Sequence, residues 1–178
     1  MWTKVRPGLT AWLSLLARLG LAAVFLTAGA LKVTDLAAAG RSVVAYEVMP
    51  PGVAMAAGAI LPFLELAVGG LLLAGLATRF AAWVAAAFLV VFIGGITSAW
   101  ARGLNIDCGC FSKGGQLAPG ETPGYLPEIL RDVAFLILAG FLIIYPHSRI
   151  SLDALFAGTA ARSAAQPDNQ HKQRGYPA

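Results

Sequence analysis

Two cysteines, Cys108 and Cys110, are the only thiols in the chain, and a single glycine separates them. A thiolate is the nucleophile of disulfide chemistry and a ligand for soft metal ions. A disulfide across one residue closes almost no loop, so it adds little entropic stability. Strained and exposed disulfides are also easily reduced. The spacing therefore favours a bond that is exchanged over one that holds the fold together.

Three chemistries remain open for this pair: thiol–disulfide exchange, binding of a soft ion such as copper(I), and a structural bond. No histidine lies in the surrounding loop to act as a third metal ligand, which favours exchange. Nearby cations raise the population of a thiolate, and Arg102, Lys113 and Arg131 are candidates to supply that charge. Asp107 opposes them locally.

The composition indicates an integral membrane protein. The 178 residues are 58% hydrophobic and only 12% charged, with a mean hydropathy of +0.72, whereas soluble domains are about 25% charged. A bilayer core needs about 20 helical residues, and four apolar runs reach that length, at 9–31, 53–76, 80–100 and 126–145. We expect an all-α, four-helix membrane bundle with an extracytoplasmic Cys-x-Cys loop.

The same pattern divides the chain into three parts. Residues 1–8 form a short N-terminus, 9–146 the membrane domain, and 147–178 a polar tail that we expect to be largely disordered. Arg18 splits the first apolar run, which favours a retained helix over a cleaved signal peptide. Between residues 32 and 51 we expect a short amphipathic helix at the membrane interface, and at 77–79 a tight turn.

The basic residues predict the topology. Short cytoplasmic loops are enriched in Lys and Arg. With four spans, one side holds seven such residues: Lys4, Arg6, Arg79, Arg149, Arg162, Lys172 and Arg174. The other side holds four: Lys32, Arg41, Arg102 and Lys113. Without the distant Lys172 and Arg174 the balance is five against four. Both termini are therefore predicted to be cytoplasmic in a multi-pass protein of the cell membrane, with the cysteines in an oxidising compartment. The basic residues flank apolar runs, so no nucleic-acid partner is expected.

Two ionisable residues fall near the middle of apolar runs, where charge is costly and marks a candidate functional site. We expect Arg18 and Glu65 to pair across antiparallel helices at similar depth. Such a pair either fixes the helix register or serves a proton or quinone site. Arg131 and Asp132 lie near the outer end of the fourth run, where they either snorkel to the interface or orient the cysteine loop.

Several of these elements together resemble the MauE family of methylamine-utilisation membrane proteins, within a broader DoxX-like group. The resemblance covers about residues 15–145. It is carried, in order, by Gly29 and Lys32, Tyr46 and Pro50, the segment 61–65 with Gly69, the segment 108–111, and Arg131 with Asp132. Ser112 stands where the family often has a glycine.

The resemblance implies a four-helix membrane protein of redox maturation. In methylamine utilisation the family is associated with a thioredoxin-like partner and with disulfide formation in methylamine dehydrogenase. We therefore expect Cys108 and Cys110 to perform or support thiol–disulfide exchange with an extracytoplasmic thioredoxin-like protein. Whether the chain is itself an oxidoreductase stays open. The alternatives are a non-enzymatic accessory subunit, a soft-metal relay and, as a weaker class, a small-solute transporter.

No cofactor motif is evident in the sequence, and no resident metal is expected. An apolar pocket in the bundle, with Arg18, Glu65 and Arg131 nearby, is a candidate site for a lipid quinone. The expected surroundings are the bilayer and the thioredoxin-like partner. The sequence indicates neither an oligomeric state nor which cysteine attacks.

Overall fold

The computed structural model describes residues 7–109, 114–118 and 120–146. These residues are mostly helical. The helices are α1 (Pro7–Val33), α2 (Leu36–Ala45), α3 (Pro51–Ala74), α4 (Thr78–Ala101) and α5 (Tyr125–Ile144). Between α4 and α5, the strands β1 (Ile106–Asp107) and β2 (Gly115–Gln116) pair antiparallel.

Within the described residues, three helices are long and apolar enough to cross a membrane: α1 from Gly8, α3 and α4. The fourth helix predicted to span, α5, is 20 residues long but carries Glu128, Arg131 and Asp132 in its first turns. Large apolar side chains such as Val91 of α4 and Ile137 of α5 are about two-thirds exposed (68% and 66%). A bilayer would cover such surfaces. The protein is therefore a multi-pass membrane protein, and the fourth span stays a prediction.

The helices α1, α3, α4 and α5 share one core. Leu21, Leu72 and Leu142 are fully buried in it, and Ala81 and Ala85 of α4 are equally inaccessible. In that core α3 packs mainly on α1, and α4 mainly on α5. Small residues at these contacts let helix backbones approach closely, as membrane helices require.

The contact between α1 and α3, called here the α1–α3 seam, depends on two glycines. A Cβ atom on Gly29 would lie 2.8 Å from the carbonyl oxygen of Pro62, and one on Gly69 would lie 2.8 Å from Cγ of Leu26. Neither space accepts a side chain without movement. The two glycines therefore determine the register of the seam, which places Lys32 opposite Glu65.

The short helix predicted between residues 32 and 51 is confirmed as α2. Asp35 caps it, because its side chain accepts a hydrogen bond of 2.8 Å from the backbone N–H of Ala38. The helix ends before Pro50, which begins the entry to α3. α2 packs along α3 and supplies a support for the cysteine loop.

The turn between α3 and α4 lies two residues earlier than the sequence predicted. It comprises residues 75–77, and α4 already begins at Thr78. Gly75 and Ala77 have φ angles of 67° and 48°, so both are left-handed: Gly75 ends α3 in the usual way, and Ala77 is the N-cap of α4. An alanine in this region is uncommon, which explains why the sequence did not indicate it.

The cysteine loop is tied to the start of α5 by Tyr125. The backbone N–H of Ile106 donates a hydrogen bond of 3.3 Å to the Tyr125 hydroxyl, which itself donates to the carbonyl of Leu104. Ile106 and Tyr125 are 3% and 5% exposed and form a second small core with Ile96. The loop is therefore anchored to the helices on both sides of it.

Candidate functional site

Cys108 directly follows β1 and is partly buried. The hydroxyl of Tyr46, at the end of α2, donates a hydrogen bond of 3.0 Å to the carbonyl oxygen of Cys108. The next backbone N–H, that of Gly109, donates to Asp107 Oδ1 at 2.9 Å. These bonds hold the backbone on both sides of the thiol. Cys110 lies outside the described residues.

Gly109 is required by the shape of this segment. Its φ angle is 71°, a conformation that only glycine adopts readily. A Cβ atom there would also lie 3.1 Å from the Cα of Gly114 and 3.3 Å from Ser42 of α2. The glycine between the two cysteines thus provides both the bend and the close packing.

The Cys108 side chain lies close to the carboxylate of Glu128, in the first turn of α5. The ligand atoms of Asp107, Cys108 and Glu128 all lie within 4.8 Å of one another. Sequence reasoning missed Glu128 as a site residue. The available signal was an acidic side chain on the first turn of the helix that follows the cysteine loop.

The predicted supporting cation Arg102 contacts backbone carbonyls. Its Nε donates to the Ser98 carbonyl at 3.2 Å, and a terminal nitrogen donates to the carbonyl of Tyr46. The guanidinium therefore joins the end of α4 to the end of α2. Through Tyr46 it helps to position Cys108.

The second predicted cation, Arg131, lies one turn after Glu128 on α5. It forms an ion pair with Asp132, with 3.1 Å between its terminal nitrogen and Oδ1. Its charge also acts on Glu128 by Coulomb attraction. The structure thus places Arg131 and Asp132 near the carboxylate that lies beside the Cys108 thiol.

Glu65 pairs with Lys32, so the predicted pairing of Glu65 with Arg18 is wrong. Lys32 Nζ lies 2.6 Å from Glu65 Oε1, and the two side chains are 8% and 1% exposed. Lys32 also lies 5.6 Å from the centre of the Phe92 ring, within the range of a cation–π contact. This buried ion pair joins α1 to α3.

Arg18 lies 14 residues before Lys32 on the same helix, which separates them by about 21 Å along the axis. It is buried in the N-terminal half of α1, one turn after Ser14, whose hydroxyl donates to the carbonyl of Tyr145. The incorrect pairing assumed that the midpoints of the two apolar runs lie at the same depth. The contacts of Gly29 and Gly69 instead set a register of α1 against α3 in which Lys32 lies opposite Glu65.

Asp132 extends the ion pair into a larger group. It is 3% exposed, is attracted by Lys32, and lines the same cavity of about 20 Å³ as Lys32 and Glu65. Lys32, Glu65, Arg131 and Asp132 are called here the buried charge cluster. Sequence reasoning counted Lys32 as a loop charge. The signal that it belongs to a helix was its position one turn after Gly29.

A family model for the methylamine utilisation protein MauE matches residues 10–145, more than half of the chain. The chain belongs to the MauE family. No curated protein and no solved structure matched it. Membership confirms the resemblance read from the sequence and supports a multi-pass membrane protein. The broader DoxX-like grouping stays a prediction.

In this MauE-family chain a larger, apolar cavity of about 370 Å³ lies between α2, α3 and α4. Its wall is almost entirely apolar and includes Tyr46, Met49, Leu61, Phe88, Val91 and Phe92. Tyr46 is the side chain whose hydroxyl binds the Cys108 carbonyl. The cavity and the cysteine loop therefore share one residue.

Proposed function

We propose that this MauE-family protein performs thiol–disulfide exchange through Cys108 and Cys110 with an extracytoplasmic thioredoxin-like partner, in the maturation of methylamine dehydrogenase. The observation that carries the proposal is the position of the Glu128 carboxylate, an oxygen of which lies within 4.8 Å of the Cys108 sulfur. A thiol must lose its proton to react. A carboxylate this close to the thiol is a candidate general base.

The exchange begins with the Cys108–Cys110 disulfide. A thiolate of the reduced partner attacks one of its sulfurs, which forms a mixed disulfide and releases the other cysteine. The second partner thiol then displaces the remaining cysteine, so the partner leaves oxidised and the pair is reduced by two electrons. When the pair is oxidised again, Glu128 accepts the proton of Cys108.

A lipid quinone is the proposed oxidant of the reduced pair. It takes up two electrons and two protons to become a quinol, which balances the oxidation of two thiols to a disulfide. The apolar cavity beside Tyr46 supports this assignment, because its volume of about 370 Å³ lies within the range of small-molecule sites. It also lies between helices that face the bilayer, from which such a lipid enters.

The proposed topology has four spans, with both termini in the cytoplasm of the cell and the cysteine loop outside. The position of Lys32 supports it. Because Lys32 is a buried helix residue paired with Glu65, it no longer counts as an outer loop charge. Without the distant Lys172 and Arg174, five basic residues predicted on the cytoplasmic side then compare with three on the outer side, Arg41, Arg102 and Lys113.

Trapping tests the exchange. In a Cys110→Ser variant, Cys108 has no neighbouring thiol to resolve a mixed disulfide, so an adduct with a thioredoxin-fold protein should accumulate. Non-reducing electrophoresis and mass spectrometry identify it. The matched controls are Cys108→Ser, which tests Cys110 as the attacked residue, and the double variant, which should form no adduct. If no adduct forms with either single variant, and the double variant still supports methylamine dehydrogenase maturation, exchange is excluded.

A reporter fused to the C-terminus tests the topology. Activity of a cytoplasmic reporter there, and labelling of the thiols by a membrane-impermeant maleimide from outside, are the expected results. A tail that lies outside would move the cysteines into the reducing cytoplasm. Exchange with an extracytoplasmic partner could not then occur.

A metal relay for a partner protein is the second candidate, favoured by the proximity of Asp107, Cys108 and Glu128 within 4.8 Å. Two of these ligands are carboxylates, which suit harder ions than copper(I). Titration of the reduced protein with copper(I) and with zinc tests this alternative. Tight binding that is lost in Glu128→Ala, without any trapped adduct, would replace exchange by metal transfer.

A further inference from the structure

Two glycines of the cysteine loop meet on one side chain of α2, that of Ser42. A Cβ atom on Gly114 would lie 2.5 Å from the Ser42 Cβ and 2.8 Å from the Cα of Gly109. A Cβ atom on Gly109 would lie 3.1 Å from the Cα of Gly114 and 3.3 Å from the Ser42 side chain. The three residues are thus in close contact, and this contact is called here the Ser42 seat.

The Ser42 seat lies next to the strand pair of the cysteine loop. Asp107 of β1 pairs with Gly115 of β2, so Gly109 follows β1 closely and Gly114 directly precedes β2. Both glycines have positive φ angles, 71° and 60°, which glycine adopts readily. The strands hold the backbone on one side of the seat, and α2 supports it from below.

Ser42 is itself fixed in place. It is 7% exposed, and its hydroxyl donates a hydrogen bond of 2.8 Å to the carbonyl of Ala39, about one turn earlier on α2. That carbonyl lies against Gly58 of α3, where a Cβ atom would not fit. Because α2 packs this closely on α3, a change of shape at the cysteine loop has to occur in the loop and not in the helix.

The Ser42 seat is formed in this structure with Cys108 as a thiol. A disulfide to Cys110 would close a ring across Gly109 alone. Disulfide geometry is narrow, with about 3.5–4.5 Å between the two Cβ atoms, so this small ring permits few backbone conformations at Gly109. Any movement of Gly109 toward them is limited by Gly114, which lies in contact with it.

We propose that Ser42 is a positioning residue for the cysteine pair, because its seat holds Gly109 in a conformation that fits the two thiols better than the disulfide. Stabilising the thiol form raises the reduction potential of a disulfide and makes it a stronger oxidant. In the exchange, the partner's dithiol gives two electrons and two protons to the pair. The disulfide bond of the pair breaks, and one forms in the partner. This use rests on the proposed function, whereas the potential is a property of the chain alone.

Redox titration of the full chain in lipid nanodiscs tests the seat. The protein is equilibrated in glutathione or dithiothreitol buffers of known potential, and the fraction of thiols is measured by alkylation and mass spectrometry. Gly114→Ala adds a Cβ atom 2.5 Å from that of Ser42 and forces the seat apart. The equilibrium constant should therefore move about tenfold toward the disulfide, which corresponds to about 30 mV of reduction potential.

Ser42→Gly tests the same contact without adding bulk. It removes the Cβ atom beneath both glycines, so the constant should move in the same direction, by less than in Gly114→Ala. Ser42→Ala keeps that Cβ atom and should retain the wild-type constant. Two controls should also leave the constant unchanged. Ala37→Gly places a glycine at an exposed position of α2, and Gly103→Ala places an alanine at a φ angle of 67° with nothing within 4 Å of its Cβ atom.

Three results would overturn the proposal. One is an unchanged constant in both Gly114→Ala and Ser42→Gly, and another is a shift toward the thiols in either variant. The third is a shift in Gly103→Ala as large as that in Gly114→Ala, because backbone strain without the seat would then be the cause.

The same titration separates this inference from the proposed function. If the wild type forms no disulfide between its two cysteines, exchange and the seat both fail. If it does, and the variants shift as expected while trapping gives no adduct, the effect of the seat remains and exchange with the partner is removed. A trapped adduct together with unchanged constants would retain exchange and remove the seat.

Discussion

Two carboxylates of this protein each contact a proton-bearing group, but in different surroundings. Glu128 meets the Cys108 thiol at the rim of the helices, where both side chains are only partly buried. Glu65 meets the Lys32 ammonium in the core, 2.6 Å away and 1% exposed. At the rim the proton can leave to water or to a partner. In the core, separation of the pair leaves a charge without compensation.

The supports of the two carboxylates differ as well. Glu65 and Lys32 are held by packed helices whose glycines permit only one register. Cys108 is held by side-chain hydrogen bonds to the backbone, from Tyr46 and through Tyr125. Packing of this kind is costly to alter, whereas single hydrogen bonds contribute about 1 kcal/mol each. The pair of Lys32 and Glu65 is thus suited to stabilising the fold, and the pair of Cys108 and Glu128 is suited to reacting.

The largest effect is expected for Lys32→Met. It leaves Glu65 as a buried charge without its cation, so the unfolding free energy should fall by about 3–5 kcal/mol. Reversible unfolding in mixed micelles measures it. The double variant Lys32→Met/Glu65→Gln, which removes both charges, should recover most of the loss. A single variant as stable as the wild type would show that the pair does not hold α1 to α3.

The second-largest effect is expected where Glu128 lies beside Cys108, at the rim of the helices. Glu128→Gln keeps the shape but cannot take the thiol proton, so Cys108 should react with a small disulfide about a hundredfold more slowly. Stopped-flow kinetics in the Cys110→Ser background measure this, with exposed Glu121 changed to Gln as the control. A faster reaction of the Glu128→Gln variant would instead mean that the negative charge of Glu128 disfavours the Cys108 thiolate.

The third prediction tests the α1–α3 seam, whose packing places Lys32 opposite Glu65. Gly29→Ala introduces a Cβ atom 2.8 Å from the backbone carbonyl of Pro62, so we expect a loss of about 1–3 kcal/mol. Gly20→Ala on the same helix meets nothing within 4 Å and should be neutral or slightly stabilising. Equal melting temperatures for the two variants would contradict close packing at the seam.

The smallest effect tests the support of the loop. Tyr46→Phe removes the hydrogen bond to the Cys108 carbonyl, worth about 1 kcal/mol. Opening of the loop should therefore increase about fivefold, which amide hydrogen exchange of residues 104–109 measures. Tyr145→Phe, at the far end of α5, is the control. If the exchange rate does not change, Tyr125 and not Tyr46 is the main residue that anchors the cysteine loop.

Runs of about 20 apolar residues made the helices predictable. Each apolar run falls largely within a helix of the structure, and the short helix α2 was also expected. The cysteine motif was equally visible, because residue type and spacing are local. Glu128 was not recognised, since its contact with Cys108 spans a loop whose path the sequence does not determine.

The partner of Glu65 could not be derived from depth alone. Arg18 and Lys32 are both basic residues of α1, and the midpoint of the apolar run favoured Arg18. Two glycine contacts decide the register instead, and they act between helices that are distant in sequence. A shift of a few turns exchanges one cation for the other without any change in hydropathy.

The sequence by itself determined that this is a membrane protein, where its helices run, and which residues carry sulfur, because composition and periodicity are properties of single segments. Only the tertiary structure decided which charges meet. It placed the Lys32 ammonium beside the Glu65 carboxylate, and the Glu128 carboxylate near the Cys108 thiol. Pairing depends on the register and rotation of packed helices, which close contacts between distant segments determine.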